Sequence, residues 1–284
     1  MAETVERGRD RRKNRRCESE GRPGRLSVAA IALLLWVPST EGAAQTTLNQ
    51  PHDRRVGVVD VRSPAYADSD FSALGLTGIV VLPVRPRVTV VTGWGLIAAS
   101  ADGVARSVTV SNAYVSLQLG RGDGGFGTIT LTLPTTGKLT NQAYAADAGL
   151  LQDLETPERY TPRALGIAVS ATPRLRVDES TQVGGRLGVA VVSPSGTESE
   201  FYARYAVFGN RGAGPLEVSA ELSGALFLRS RAAGFSDSSV HHLTASVRGG
   251  GQPVGPELVV RLPLDRGARG ATDVVWGLRF GVPF

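Results

Sequence analysis

From about residue 56 onward, apolar and polar residues alternate one for one, the signature of strands with two unlike faces. Thr128-Ile129-Thr130-Leu131-Thr132-Leu133 alternates without a fault, as do Leu165 to Ser170 and Leu216 to Ser223. Helical spacing is nearly absent, and Tyr144 to Leu154 is the only stretch that offers it. Breaking the chain at Gly, Pro, Asp and Asn clusters predicts about twelve strands. They run near 56–62, 76–84, 87–100, 107–120, 126–135, 164–175, 181–193, 200–209, 215–229, 238–249, 256–264 and 272–284. Residues 45–55 are polar and aperiodic and read as a flexible lead-in.

The connections fall into two kinds. Arg85-Pro86, Arg121 to Gly125, Asn210 to Gly214 and Gly249 to Gly251 read as tight turns, whereas the longest connection, about 136–163, falls at the other end of the array. An even number of antiparallel strands, with short turns at one end and long loops at the other, is the pattern of a bacterial outer-membrane barrel. A soluble antiparallel sheet alternates in the same way with its apolar face inward. Alternation alone leaves both open.

The faces hold the charge. Leu216, Val218, Leu222, Leu226 and Leu228 share one side of their strand, with Glu217, Glu221 and Arg229 on the other. In the last strand Val274, Trp276, Leu278, Phe280, Val282 and Phe284 oppose Asp273, Gly277, Arg279 and Gly281. In a barrel the charged set must face water or one another, since hydrocarbon excludes it. That set is Arg186, Arg204, Glu217, Glu221, Arg229, Arg248, Glu257, Arg261, Asp273 and Arg279. It reads either as a lumen lining that selects solutes or as a ladder of ion pairs that plugs the barrel.

The first 25 residues carry nine basic side chains against five acids, followed by the apolar run Leu26 to Val37, Pro38 and Gly42-Ala43-Ala44. A basic region, an apolar core and a small-residue cleavage site define a secretory signal, here 1–44. Removing it changes the charge reading. The formal net charge falls from +5 to +2, so the basicity belongs mostly to the leader and gives no support for nucleic acid. Cys17 precedes the apolar core, so the mature chain has no cysteine for a lipid anchor or a disulfide.

The chain stops on phenylalanine inside an amphipathic strand. Gly277, Phe280, Val282 and Phe284 resemble the C-terminal signal by which outer-membrane barrels are recognised by the barrel-assembly machinery. An aromatic end also suits the membrane–water interface. Against this, aromatics make up only 6% of the chain, thin for two full girdles.

Between Asn112 and Gly137, a strand, a Gly-rich turn and a strand ending Leu133-Pro134-Thr135-Thr136-Gly137 resemble the outer-membrane barrel family associated with meta-cleavage phenol degradation, with Thr136 inserted in the Leu-Pro-Thr-Gly element. The resemblance spans about 26 residues and implies transport of aromatic and other hydrophobic compounds. It transfers no site residue.

Three local patterns invite chemistry. His241 and His242, with Ser239 and Thr244 two residues away, would suit an acyl hydrolase on a strand, where residues two apart share a face. By alternation Ser239 and His241 face lipid and His242 the lumen. A polar pair near a loop end is the plainer account. With His52 the only other histidine, a metal site is not expected. Gly120 to Gly125 lacks the following helix that a phosphate loop needs and reads as a hairpin turn.

The reading is an all-β, antiparallel barrel of about twelve strands over residues 56–284, in the outer membrane, in contact with its lipid. No cofactor and no enzymatic activity are expected. Its role is a channel or transporter for small solutes, hydrophobic ones included, or a non-conducting surface barrel that displays the 136–163 connection.

Overall fold

Val56, Val58, Asp60 and Arg62 turn to one side of the first strand while Val59 turns to the other, and this rule builds the whole wall. The computed structural model describes residues 55–66, 71–101, 104–121, 124–136, 149, 153, 156–196, 198–228, 239–249 and 255–284. The proposed signal 1–44 and nearly all of the lead-in lie outside them. The strands are β1 Val56–Tyr66, β2 Phe71–Arg85, β3 Val88–Ala101, β4 Val104–Val110, β5 Ala113–Arg121 and β6 Gly125–Leu133, then β7 Leu165–Arg176 and β8 Thr181–Ser193. β9 Glu200–Ala213, β10 Leu216–Phe227, β11 Ser239–Gly249, β12 Glu257–Pro263 and β13 Thr272–Pro283 complete the set. Sequential strands pair antiparallel except β4 and β5, which both pair with β3, and β1 pairs with β13 from Val56↔Pro283 to Tyr66↔Thr272, which closes the sheet into a barrel.

Thirteen strands fill twelve wall positions. β3 pairs with β4 over its second half and with β5 over its first. Between them Ser111 and Asn112 form a bulge, with Ser111 N donating to Gly95 O at 2.8 Å. The predicted strand 107–120 is therefore one wall strand with a break. β9 also runs past its predicted end, so the turn lies at Gly214-Pro215 rather than at Asn210 to Gly214.

Both termini of the barrel and the turns after β2, β5, β7 and β9 share one end, which the short-turn rule assigns to the periplasm. Gly120 and Gly125 flank the β5–β6 turn with φ of 145° and 102°, a backbone that L side chains rarely adopt. In the β7–β8 turn the Asp178 carboxylate accepts bonds from the Ser180 amide, the Ser180 hydroxyl and the Thr181 amide. Bonding to Ser180 first, and then Thr181, holds that carboxyl below its ordinary range.

The wall is inside out relative to a soluble sandwich. Ile129, Ile167, Val189, Val207, Trp276 and Leu278 point outward and stay exposed, Val207 at 69%. Asp60, Glu217, Arg248 and Glu257 point inward and are at most 3% exposed. A soluble fold would reverse these faces, because an exposed apolar belt costs free energy in water and a buried unpaired charge costs more.

Candidate functional site

Of the described residues in the connection 134–164, Thr136, Asp153, Glu158, Tyr160 and Ala164 are buried. Tyr160 packs on Ala73, Ile97 and Ala99 of the inner wall. Asn112, at the bulge, clamps the connection. Its amide N donates to Arg159 O at 2.7 Å, and its Nδ2 donates to Glu158 O and Thr161 O at 2.8 and 2.7 Å.

Charge fastens the loop further. Arg261 Nη1 reaches Asp153 at 3.4 Å. The Glu158 carboxylate accepts from both Tyr202 Oη and Arg204 Nη2. Leaving either acid unpartnered in this interior would be costly, so the ion pairs select the inserted arrangement.

The sequence-derived inner charges find these places. Arg186 pairs with Glu221 at 2.8 Å, and Arg204 with Glu158. Arg248 pairs with Glu217, which also accepts from Asn210 at 2.7 Å. Glu257 accepts from Ser246 at 2.6 Å and from Arg279 at 2.9 Å, while Arg279 also reaches Asp60 at 3.2 Å. Arg261 meets Thr244 and Asp153. Arg229 lies outside the described residues. Asp273 is not on the inner face. It is exposed, because the register slips opposite Ala65 and Tyr66 and shifts the alternation at the start of β13.

Sequence reasoning missed Asp60, Arg62, Asn112, Asp153 and Glu158. Asp60 and Arg62 were visible as two charges spaced by two within an apolar strand, which puts them on one face. Arg62 Nη2 donates to Asp60 at 2.8 Å. Between the paired walls and the loop a cavity of about 190 Å3 remains, and Arg62, Arg159, Arg186, Arg261 and Arg279 are among its lining residues.

On the outer face, His241 is not an isolated polar residue. Its Nδ1 lies 2.9 Å from Asp265 Oδ1, and its Nε2 bonds the hydroxyl of Tyr205. Tyr205 and His241 both pair with Gly224, and the phenol crosses the strand where that residue has no side chain. Ser239 is buried at 4% exposure, which corrects the expectation that it faces lipid, and His242 is buried at 2%. Both His241 ring nitrogens are thus engaged by Tyr205 and Asp265. Among the described residues no cluster of His, Cys, Asp and Glu could hold a metal ion, and no helix is long and apolar enough to cross a membrane.

No protein-family model matches the chain, and no curated protein matches it. The fold is similar to that of an outer membrane channel from Pseudomonas putida F1, with a TM-score of 0.56 and 13% identity over 87% of this chain and 99% of that one. The NanC porin aligns at 0.48 and 10% identity over 80% and 98% of the two chains, and LpxR from Salmonella typhimurium at 0.48 and 12% over 81% and 100%. A closed barrel with a lipid-exposed apolar belt spans a membrane without any helix. The chain is an outer-membrane β-barrel.

Proposed function

We propose that the barrel is a narrow channel for small solutes, constricted by its own 134–164 connection. The observation that supports this most is the inward loop, anchored by Asn112, Arg261 and Arg204, beside a polar cavity of about 190 Å3. Twelve strands sit between the small barrels that side chains fill and the porins that leave an aqueous channel. An inserted loop narrows such a lumen and sets which solutes pass. The P. putida channel with the same fold supports conduction by analogy only.

The solute class we favour is small and at least partly apolar. Tyr114 and Tyr160 line the cavity beside the charged pairs, so an apolar body and a polar end both find a surface there. Entry into the membrane is proposed to use the β13 strand and the residue after it: Phe280, Val282 and Phe284 remain exposed for the barrel-assembly machinery. The density of inner ion pairs also favours a second reading, a non-conducting barrel stabilised by its own plug. Liposome swelling separates the two. Purified, heat-modifiable protein should admit solutes the size of glycine and exclude disaccharides, whereas a plugged barrel admits neither.

A further inference from the structure

Arg159 sits on the inserted loop in a short 3-10 turn, Pro157–Arg159, and lines the cavity. Its guanidinium is held on several sides. The cation lies over the Tyr114 ring at 4.8 Å and over the Tyr160 ring at 5.6 Å. Nη1 faces Asp153 Oδ2 at 3.5 Å. The remaining edge is Nε–H and Nη2–H, and both atoms are buried with no hydrogen-bond partner. These two donors run parallel in one plane, the fork that receives a planar carboxylate through two bonds. Buried donors left unpaired are rare and costly.

The cavity charge agrees with a monoanion. Five arginines and four carboxylates line it, one positive charge in excess. The carboxylates are already engaged: Asp60 by Arg62 and Arg279, Glu257 by Arg279, Asp153 by Arg261 and by Arg159 Nη1, and Glu221 by Arg186. Among these lining arginines, Arg159 is the one whose Nε and Nη2 both lack a hydrogen-bond partner.

We infer that the cavity is a binding site for the carboxylate of a small organic acid, held by the Arg159 fork between Tyr114 and Tyr160. In this geometry the two donors are covered, so ligand entry must turn that edge toward the cavity. The return is two charge-assisted hydrogen bonds where the protein has none. A lysine cannot replace this arrangement, because an ammonium has no fork. The inference rests on the channel reading only for the route by which the acid arrives.

The test uses sodium butyrate as probe and butyramide as its neutral counterpart, on the full mature protein checked for heat-modifiable mobility. Calorimetric titration should show saturable butyrate binding and none for butyramide, a comparison that decides without any variant. Arg159→Lys should weaken butyrate binding about tenfold through loss of the fork, and Arg106→Lys on the exposed outer wall should bind as wild type. Equal binding of butyramide, or unchanged butyrate affinity in Arg159→Lys, would overturn the site. KCl currents recorded in planar bilayers separate the two claims. Butyrate binding without any current would defeat the channel and support the site, and current without butyrate binding would do the reverse.

Discussion

Thr136 is joined twice to Asn112: its amide N and its hydroxyl both donate to Asn112 Oδ1, at 2.9 and 2.6 Å. The same Asn112 side chain donates through Nδ2 to the carbonyls of Glu158 and Thr161. One wholly buried side chain therefore holds both ends of the connection that enters the barrel.

Removing that clamp should cost more than its size suggests. Asn112→Ala leaves two donors, the Thr136 amide and hydroxyl, and two acceptors, the Glu158 and Thr161 carbonyls, short of a partner, each worth about 1–3 kcal/mol. The temperature at which the folded gel band converts to the unfolded one should fall clearly. Asn112→Asp keeps the acceptor for Thr136 but loses both Nδ2 donors, so it should also lower the transition. An unchanged transition in Asn112→Ala would show that the loop ends are held elsewhere.

A glycine on the wall should be equally unforgiving. A Cβ on Gly224 would lie 2.8 Å from both the Tyr205 ring and Val240 O, and the backbone oxygen cannot swing aside. Gly224→Ala should displace Tyr205 from His241 and destabilise the barrel by about 1–3 kcal/mol, the usual range for overpacking. The midpoint of denaturant unfolding reads this directly. Wild-type stability in Gly224→Ala would mean that the Tyr205–Gly224–His241 row has room to spare.

The two faces of β6 can be told apart at adjacent positions. Ile129 is 48% exposed on the outside, whereas Thr130 shares a 2.8 Å hydrogen bond with Ser116 on the inside. A fluorophore on Ile129→Cys should be quenched by brominated lipid and one on Thr130→Cys should not. Ile129→Arg should cost about 2–4 kcal/mol if it lies near the bilayer midplane. Quenching at Thr130 with none at Ile129 would invert the barrel.

Much of this wall was legible because period two reports face, and face reports solvent. Ile129, Leu131, Ile167 and Val169 fall outside as their alternation requires. The break at Ser111-Asn112 was also written in the chain: the outward apolar residues Val108 and Val110 are even-numbered, while Val115, Leu117 and Leu119 are odd. One inserted residue explains the change of parity. The bulge at the start of β13 left no comparable trace, and Asp273 was misplaced for that reason. The inserted loop was illegible on other grounds. Asp153, Glu158 and Asn112 carry no periodic signal, and their partners Arg261, Arg204 and Thr136 lie 108, 46 and 24 residues away.

The C-terminal residue offers a test of biogenesis. Phe284 is 66% exposed, and its amide donates to Arg55 O at 3.2 Å where the barrel closes. Phe284→Asp should reduce the folded yield in the outer membrane several-fold, with little effect from Phe126→Leu, which lies on the inner wall. Wild-type yield of Phe284→Asp would remove the terminal aromatic from the assembly signal.

We propose that the loop narrows a conducting lumen, and single-channel current in planar bilayers tests this most directly. The wild-type protein should give small, steady unitary currents in KCl. The double variant Asp153→Asn with Glu158→Gln weakens the ion pairs to Arg261 and Arg204 and should raise the unitary current several-fold. Folded protein that carries no current in either form, or a large wild-type current that the double variant leaves unchanged, would contradict it.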